Sequence, residues 1–260
     1  MRVAITALVL AIFLAAVPPS SAGDPATGRD ASIARHETRR SPVIILGFLG
    51  GFVRTDDKLH IEVQLASRLQ ADYSGLAHSE VFENHRGYQA YAEVLQLLDS
   101  DGDGTLSDEE KHNARIILYG HSWGASELVT VAQELQRDSI PVLLTIQVDS
   151  IAKRHENDAV IPGNVAEAVN FYQPRSVLHG RPEIRAADPA RTMILGNFRF
   201  DYKDDPLACS EKSRWLVRHF AKPHAEIECD PAVWNRVESL IRSKLPHLAS
   251  SVAVIANNQK

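Results

Sequence analysis

The stretch that most limits how this chain can fold is RIILYGHSWGASELVTVAQELQ, residues 115–136. A short apolar run, RIILYG, is followed at once by Gly-x-Ser-x-Gly and then by apolar residues at helical spacing. Ala125, Leu128, Val129, Ala132 and Leu135 fall on one face of that helix. A strand that passes straight into a helix through such a turn leaves the serine on a tight, strained bend. Gly120 and Gly124 let neighbouring backbone come close, and Ser122 Oγ points out at the carboxyl edge of a sheet. The helix that starts behind it favours negative charge on an oxygen at its amino end.

The rest of the chain supplies such a sheet. PVIILGF (42–48), HSEVFE (78–83), PVLLTIQVD (141–149) and TMILGNF (192–198) read as further buried strands. Between them lie a helix through Ile61, Leu65, Ala66 and Leu69, with N-cap chemistry at Thr55-Asp56-Asp57, and a second from Tyr88 to Leu98. Asp230-Pro231 starts a last helix through Trp234, Val237, Leu240 and Ile241. Continuous apolar strands alternating with helices predict an α/β fold, with a mainly parallel sheet of about five or six strands covered on both faces. The stretch 152–191 shows no strand and is expected to form a small lid.

With GHSWG between a strand and a helix, the chain resembles the α/β-hydrolases over about residues 42–250, and the resemblance implies a lipase- or esterase-like serine hydrolase. It also implies the order serine, acid, histidine. The acid is expected at Asp149, where the end of a strand holds a carboxylate rigidly; Asp158 and Asp188 are the rivals. The base is expected at His224, in a loop before the Asp230 cap, ahead of His155, His179, His219 and His247. His224 then takes the Ser122 proton as the serine attacks an acyl carbonyl, and Asp149 orients the imidazole. The oxyanion donors implied are the amides of Trp123 and of Phe48, with Leu49 as fallback. Leu46-Gly47 stands where many lipases carry His-Gly. Thioester cleavage or acyl transfer uses the same triad. A silent calcium-binding interaction protein on this scaffold is the alternative from another class.

DSDGDGTLSDEE (99–110) matches the EF-hand calcium loop at its ligand positions. Asp99, Asp101 and Asp103 take the first, third and fifth positions, and Gly104 the sharp turn. Thr105 offers its carbonyl, Ser107 acts directly or through water, and Glu110 closes the site. One such loop, with a short exit helix, predicts static structural Ca2+ rather than a sensor. A strand of about six residues at about 3.3 Å each then separates the loop from Ser122 by roughly 20 Å, so the ion is expected to brace the fold and take no part in the chemistry.

The first residues set the compartment. Arg2 precedes the apolar run VAITALVLAIFLAAV and the small residues PPSSAG, which reads as a signal peptide over 1–22. Residues 23–41 read as a loose polar arm and 251–260 as a tail. This leaves about 220 residues for a single core. Export to a periplasm or beyond would let the two cysteines, Cys209 and Cys229, pair. Closing a loop of about 20 residues is worth ~3 kcal/mol in the chain-entropy picture, and the bridge would tether the loop carrying His224. The net charge is −5 and no basic block lies beyond Arg39-Arg40, which argues against nucleic acid as a partner. The partner expected is a small-molecule or lipid ester, with no organic cofactor.

Overall fold

The computed structural model describes residues 42–175, 177–209 and 221–246. The signal peptide, arm and tail read from the sequence lie outside the described residues, as do His219 and His247. The chain divides into Met1–Arg39 and Arg40–Lys260, and all that follows concerns the second unit. Among the described residues no helix is long and apolar enough to cross a membrane.

The main sheet has six strands: β1 (Val43–Leu49), β2 (Ala77–Glu83), β3 (Ile116–His121), β4 (Val142–Val148), β6 (Val165–Tyr172) and β8 (Met193–Arg199). Their spatial order is β2-β1-β3-β4-β6-β8, and every neighbouring pair is parallel. Two short strands, β5 (Val160–Ile161) and β7 (Arg185–Ala186), pair separately. The helices are α1 (Ile61–Asp72), α2 (Gly87–Leu98), α3 (Asp108–His112), α4 (Trp123–Arg137), α5 (Lys222–Cys229) and α6 (Pro231–Ser243).

The central strands β1, β3 and β4 are largely apolar because both of their faces are covered. Ile44, Leu46 and Phe48 of β1 point to the side where Val94 and Leu98 of α2 and Leu128, Ala132 and Leu135 of α4 pack. Val43 and Ile45 point the other way, against Leu65 and Leu69 of α1 and Val237 and Ile241 of α6. The two-residue period of a strand divides one apolar run between two cores. Each large side chain withdrawn from water in this way contributes about 1.5–3 kcal/mol. The chain steps from β1 out to β2 and then back across to β3, so the crossovers diverge between β1 and β3. In doubly wound sheets the crevice at the carboxyl ends beside such a switch point is where ligands bind.

Three expectations need correction. The stretch 152–191 contains a full central strand, β6, so it is not one lid. Its pattern hid it: Glu167 and the fully buried Asn170 interrupt the apolar run. The N-cap of α1 is His60, not the 55–57 cluster. Asp57 Oδ1 instead accepts the Leu59 amide at 3.1 Å in a turn before the helix, and Arg54 pairs with Asp56. His224 sits in the first turn of α5, not in a loop, with Pro223 ahead of it at a position where a missing N–H costs nothing.

Candidate active site

β3 ends at His121, and Ser122 turns the chain with φ 55° and ψ −124°. A left-handed serine costs about 1–3 kcal/mol and persists only where its surroundings over-determine it. Here they do. The Ser122 amide donates to Val148 C=O at 3.0 Å, and its carbonyl accepts the Ala125, Ser126 and Ile151 amides at 3.1, 3.3 and 3.1 Å. The two flanking glycines permit the contact between α4 and β1. A Cβ on Gly124 would lie 1.9 Å from Phe48 C=O, and one on Gly120 would lie 2.8 Å from that oxygen and from Gly124 backbone.

Asp149 leaves the end of β4 with φ 43° and is wholly buried. Its Oδ1 accepts the Gly180 amide at 2.7 Å and the Gln173 amide at 3.1 Å. Its Oδ2 accepts Gln173 Nε2 at 2.8 Å and faces His224 Nδ1 at 2.6 Å. His224 Nε2 lies 2.9 Å from Ser122 Oγ. Ser122, His224 and Asp149 thus form one buried hydrogen-bonded line drawn from the ends of β3 and β4 and from α5. The rival acids are engaged elsewhere. Asp158 accepts Ser150 Oγ and Arg181 Nε, each at 2.5 Å. Asp188 accepts the Ala190 amide in a local turn.

The structure departs from the expected oxyanion turn. Phe48 lies inside β1, paired in register with Gly120. Ile44 N–H bonds Arg115 C=O, and the strand's alternation aims Phe48 N–H at β3 in the same way. Leu49, aligned with Glu83, faces β2. Both amides belong to the ladder. The residue of this turn that reaches the serine is Gly50, whose added Cβ would stand 3.2 Å from Ser122 Cβ. Trp123 opens α4, so its amide is one of the first-turn N–H groups that a helix leaves without an internal acceptor. Its ring meets the edge of Phe52 at 5.8 Å, and Phe52 is 80% exposed, which gives the mouth of the site an apolar lip.

The far end of α5 is held from several sides. Cys229 is disulfide-bonded to Cys209. Leu207 N–H donates to Glu226 at 3.1 Å, and Tyr202 O–H donates to Asp230 at 2.8 Å.

Behind His224 lies a group that sequence reasoning missed. The His121 ring packs against the His224 ring at 4.6 Å, and His60, Glu62 and Glu228 gather beside it. Burial pushes His121 down to about 4 and pushes Glu62 up. Burial also opposes the charges on His60 and Glu228, but the charges and hydrogen bonds around them win. Glu62 and Glu228 hold His60 at about 10, and the imidazoles, His121 first, hold Glu228 at about 2. The signals available were the His-x-Glu at the start of α1 and the histidine next to the serine. Nothing local ties them to Glu228.

The acidic loop joins α2 to α3 and so feeds the amino end of β3, opposite Ser122. Oxygens of Asp99, Asp101 and Asp103 lie within 4.8 Å of one another, and Gly104 turns the loop at φ 81°. Three convergent carboxylates on a tight turn fit a hard divalent cation. Glu110 is turned elsewhere. It accepts Ser100 N–H and O–H at 2.7 and 2.8 Å and Ser107 N–H and O–H at 3.0 and 2.9 Å, and these donors hold it at about 2. Ser107 is the N-cap of α3 in a capping box with Glu110, and the Thr105 amide donates to Asp103 at 2.7 Å.

No protein-family model matches the chain, and no curated protein matches it in sequence. Among solved structures it is similar to RedJ with a PEG molecule bound in the active site, at 10% identity and TM-score 0.41, over 87% of this chain and 96% of that one. An iodinated complex of acetyl xylan esterase matches at 12% identity and TM-score 0.35, over 79% and 99% of the two chains.

Proposed function

We propose that this protein is a serine hydrolase of the α/β-hydrolase type, cleaving carboxylic esters through an acyl-enzyme on Ser122. The observation that carries the reading is the strained Ser122, with Oγ 2.9 Å from His224 Nε2 and the far side of that ring 2.6 Å from buried Asp149. In this reading His224 removes the serine proton as Oγ bonds to the acyl carbon. The oxyanion is received by the amides of Trp123 and of the Gly50 turn, at the amino end of α4. His224 then returns the proton to the leaving alcohol, and water repeats the sequence to free the acid. Phe52 and Trp123 favour an apolar acyl group at the mouth. A thioester or a second acyl acceptor enters the same steps in place of the ester or the water.

The acidic loop is proposed as a structural calcium site, with Asp99, Asp101 and Asp103 as its core. Export is proposed from the apolar start of the chain and is consistent with the Cys209–Cys229 bridge.

The test is covalent labelling with a fluorophosphonate, read as a mass shift on the Ser122 peptide. Labelling is expected in the wild type and is expected to fall sharply in His224→Ala. Folded protein that does not label would overturn the proposal and favour a calcium-binding interaction protein.

A further inference from the structure

Two adjacent glycines, Gly50 and Gly51, leave the turn that faces Ser122 without side chains to brace it, and Gly51 sits at φ 48°. Such a pair can swing its peptide groups at little cost. Two hydrogen bonds oppose that. The Val53 amide donates to Gly50 C=O at 3.1 Å, and Asn84 Nδ2 donates to Gly51 C=O. A peptide group is planar and trans, so holding a carbonyl also aims the N–H of the next residue the opposite way. The first bond sets the Gly51 N–H and the second sets the Phe52 N–H.

Asn84 is itself fixed. It follows Glu83, the last residue of β2, and Glu83 is aligned with Leu49, the last residue of β1. The parallel register therefore delivers Asn84 beside the glycines, where it is buried. Asn84 C=O accepts Lys153 Nζ, and the same ammonium donates to the Glu127 carboxylate. Glu127 is buried on α4, one helical turn beyond Trp123, and its other oxygen accepts the Gly87 amide at 2.9 Å where α2 starts. A Cβ on Gly87 would stand 2.0 Å from that oxygen, so a glycine there leaves the carboxylate its room. Lys153 comes from the loop after Asp149, two residues past Ile151, whose amide bonds Ser122 C=O at 3.1 Å. A buried ion pair adds little net stability. This one joins α4 and the loop after Asp149 to the residue that holds the glycine turn.

We propose that Asn84 is a positioning residue for the oxyanion turn, holding Gly51 C=O so that the turn's N–H groups are already aimed when charge develops on the reacting oxygen. The inference rests on the serine-hydrolase reading above. Donors set in place beforehand need no reorganisation at the moment of reaction, and losing one outright costs about 10²–10³-fold in rate. Losing only its support should cost less, about 10–100-fold.

The test is the rate of fluorophosphonate labelling of Ser122 over a range of probe concentrations, which separates the bond-forming rate constant from the affinity for the probe. As Ser122 Oγ bonds to phosphorus, its proton passes to His224, fluoride leaves, and negative charge gathers on the phosphonyl oxygen. Asn84→Ala should lower the bond-forming rate constant about 10–100-fold. The affinity and the pH profile should stay as in the wild type, since the base is untouched. Asn84→Asp has the same shape but turns an acceptor toward Gly51 C=O, and should lower the rate constant at least as far. Both variants keep the backbone carbonyl that Lys153 holds. A folded Asn84 variant that labels at the wild-type rate would overturn the inference. So would a loss confined to affinity, or one that moves the pH profile. In the wild type, the Asn84 side-chain N–H protons should exchange with water more slowly than those of exposed Asn113. Equally fast exchange would overturn the inference with no variant needed. Wild-type protein that does not label fails the hydrolase reading and takes this inference with it, whereas labelled wild type with indifferent Asn84 variants fails this inference alone.

Discussion

Asp149→Asn tests the site most sharply, because the surroundings of that carboxylate leave an amide nowhere to turn. Four N–H groups converge on it within 3.1 Å, two on each oxygen, and it has no contact with water. Asparagine keeps one acceptor and replaces the other with a donor. Whichever way it flips, its NH2 meets two donors. If it faces Gly180 and the Gln173 amide, two backbone bonds to a charge are lost, each worth about 1.5–3 kcal/mol. If it faces His224 instead, the ring must accept at Nδ1 and carry its proton on Nε2, the atom that has to take the Ser122 proton. Removing a buried charge returns part of the loss, so we expect about 2–5 kcal/mol less stability in urea. The labelling rate of Ser122 by fluorophosphonate should fall about 10⁴-fold, as expected when a triad aspartate becomes an amide. That is about 5.5 kcal/mol of barrier. Both are read on one protein preparation, unfolding by circular dichroism and labelling by mass spectrometry at neutral pH. A folded variant that labels within tenfold of the wild-type rate would refute the argument, since His224 would then work without the partner 2.6 Å away.

Gly124→Ala should destabilise by about 2–4 kcal/mol, more than the usual overpacking penalty. The methyl would meet rigid β1 backbone at 1.9 Å, and the helix propensity gained is only about 1 kcal/mol. A denaturant midpoint unchanged from wild type would show that α4 does not pack on β1 this way. Chelation of calcium, or Asp103→Asn, should lower the melting temperature while leaving the labelling rate of Ser122 unchanged at a temperature where both proteins are folded. A slower rate at unchanged melting temperature would put the ion in the chemistry. Reducing the Cys209–Cys229 bridge opens a loop with a sequence separation of 20 residues, worth ~3 kcal/mol. Labelling should decline before helix content does, and simultaneous loss would mean that the bridge serves the whole fold.

How much of this was legible depended on the range over which each signal acts. β1, β3 and β4 announced themselves because a parallel strand buried on both faces must be apolar at nearly every position, and the edge strands β2 and β8 by shorter apolar stretches. β6 did not, since its buried positions include Asn170, which bonds Arg181 C=O and Asn197, and apolarity is not what satisfies that site. Ser122 and Asp149 could be nominated from strand ends and His224 from chain order, and the structure brings the three within hydrogen-bonding distance. The residue of this turn that faces Ser122 stands two beyond Phe48 and one beyond Leu49, because a glycine run does not say where a ladder stops. That is decided by the partner strand, which carries β1 through Leu49 and leaves Gly50 as the first residue free to face the serine. The cluster around Glu228 was out of reach for a stronger reason. His60 and Glu228 are 168 residues apart, and neither stands in a pattern that names the other. Their meeting follows from the start of α1, the end of β3 and α5 converging at the same carboxyl edge that carries the serine site. A chain that places a serine on a strained turn there also brings whatever its neighbouring elements carry to within one side chain of it. His121, adjacent to Ser122 in sequence and stacked on His224 in space, belongs to both sets. A change in the His121 ring would therefore act on the geometry of Ser122 and of His224 together.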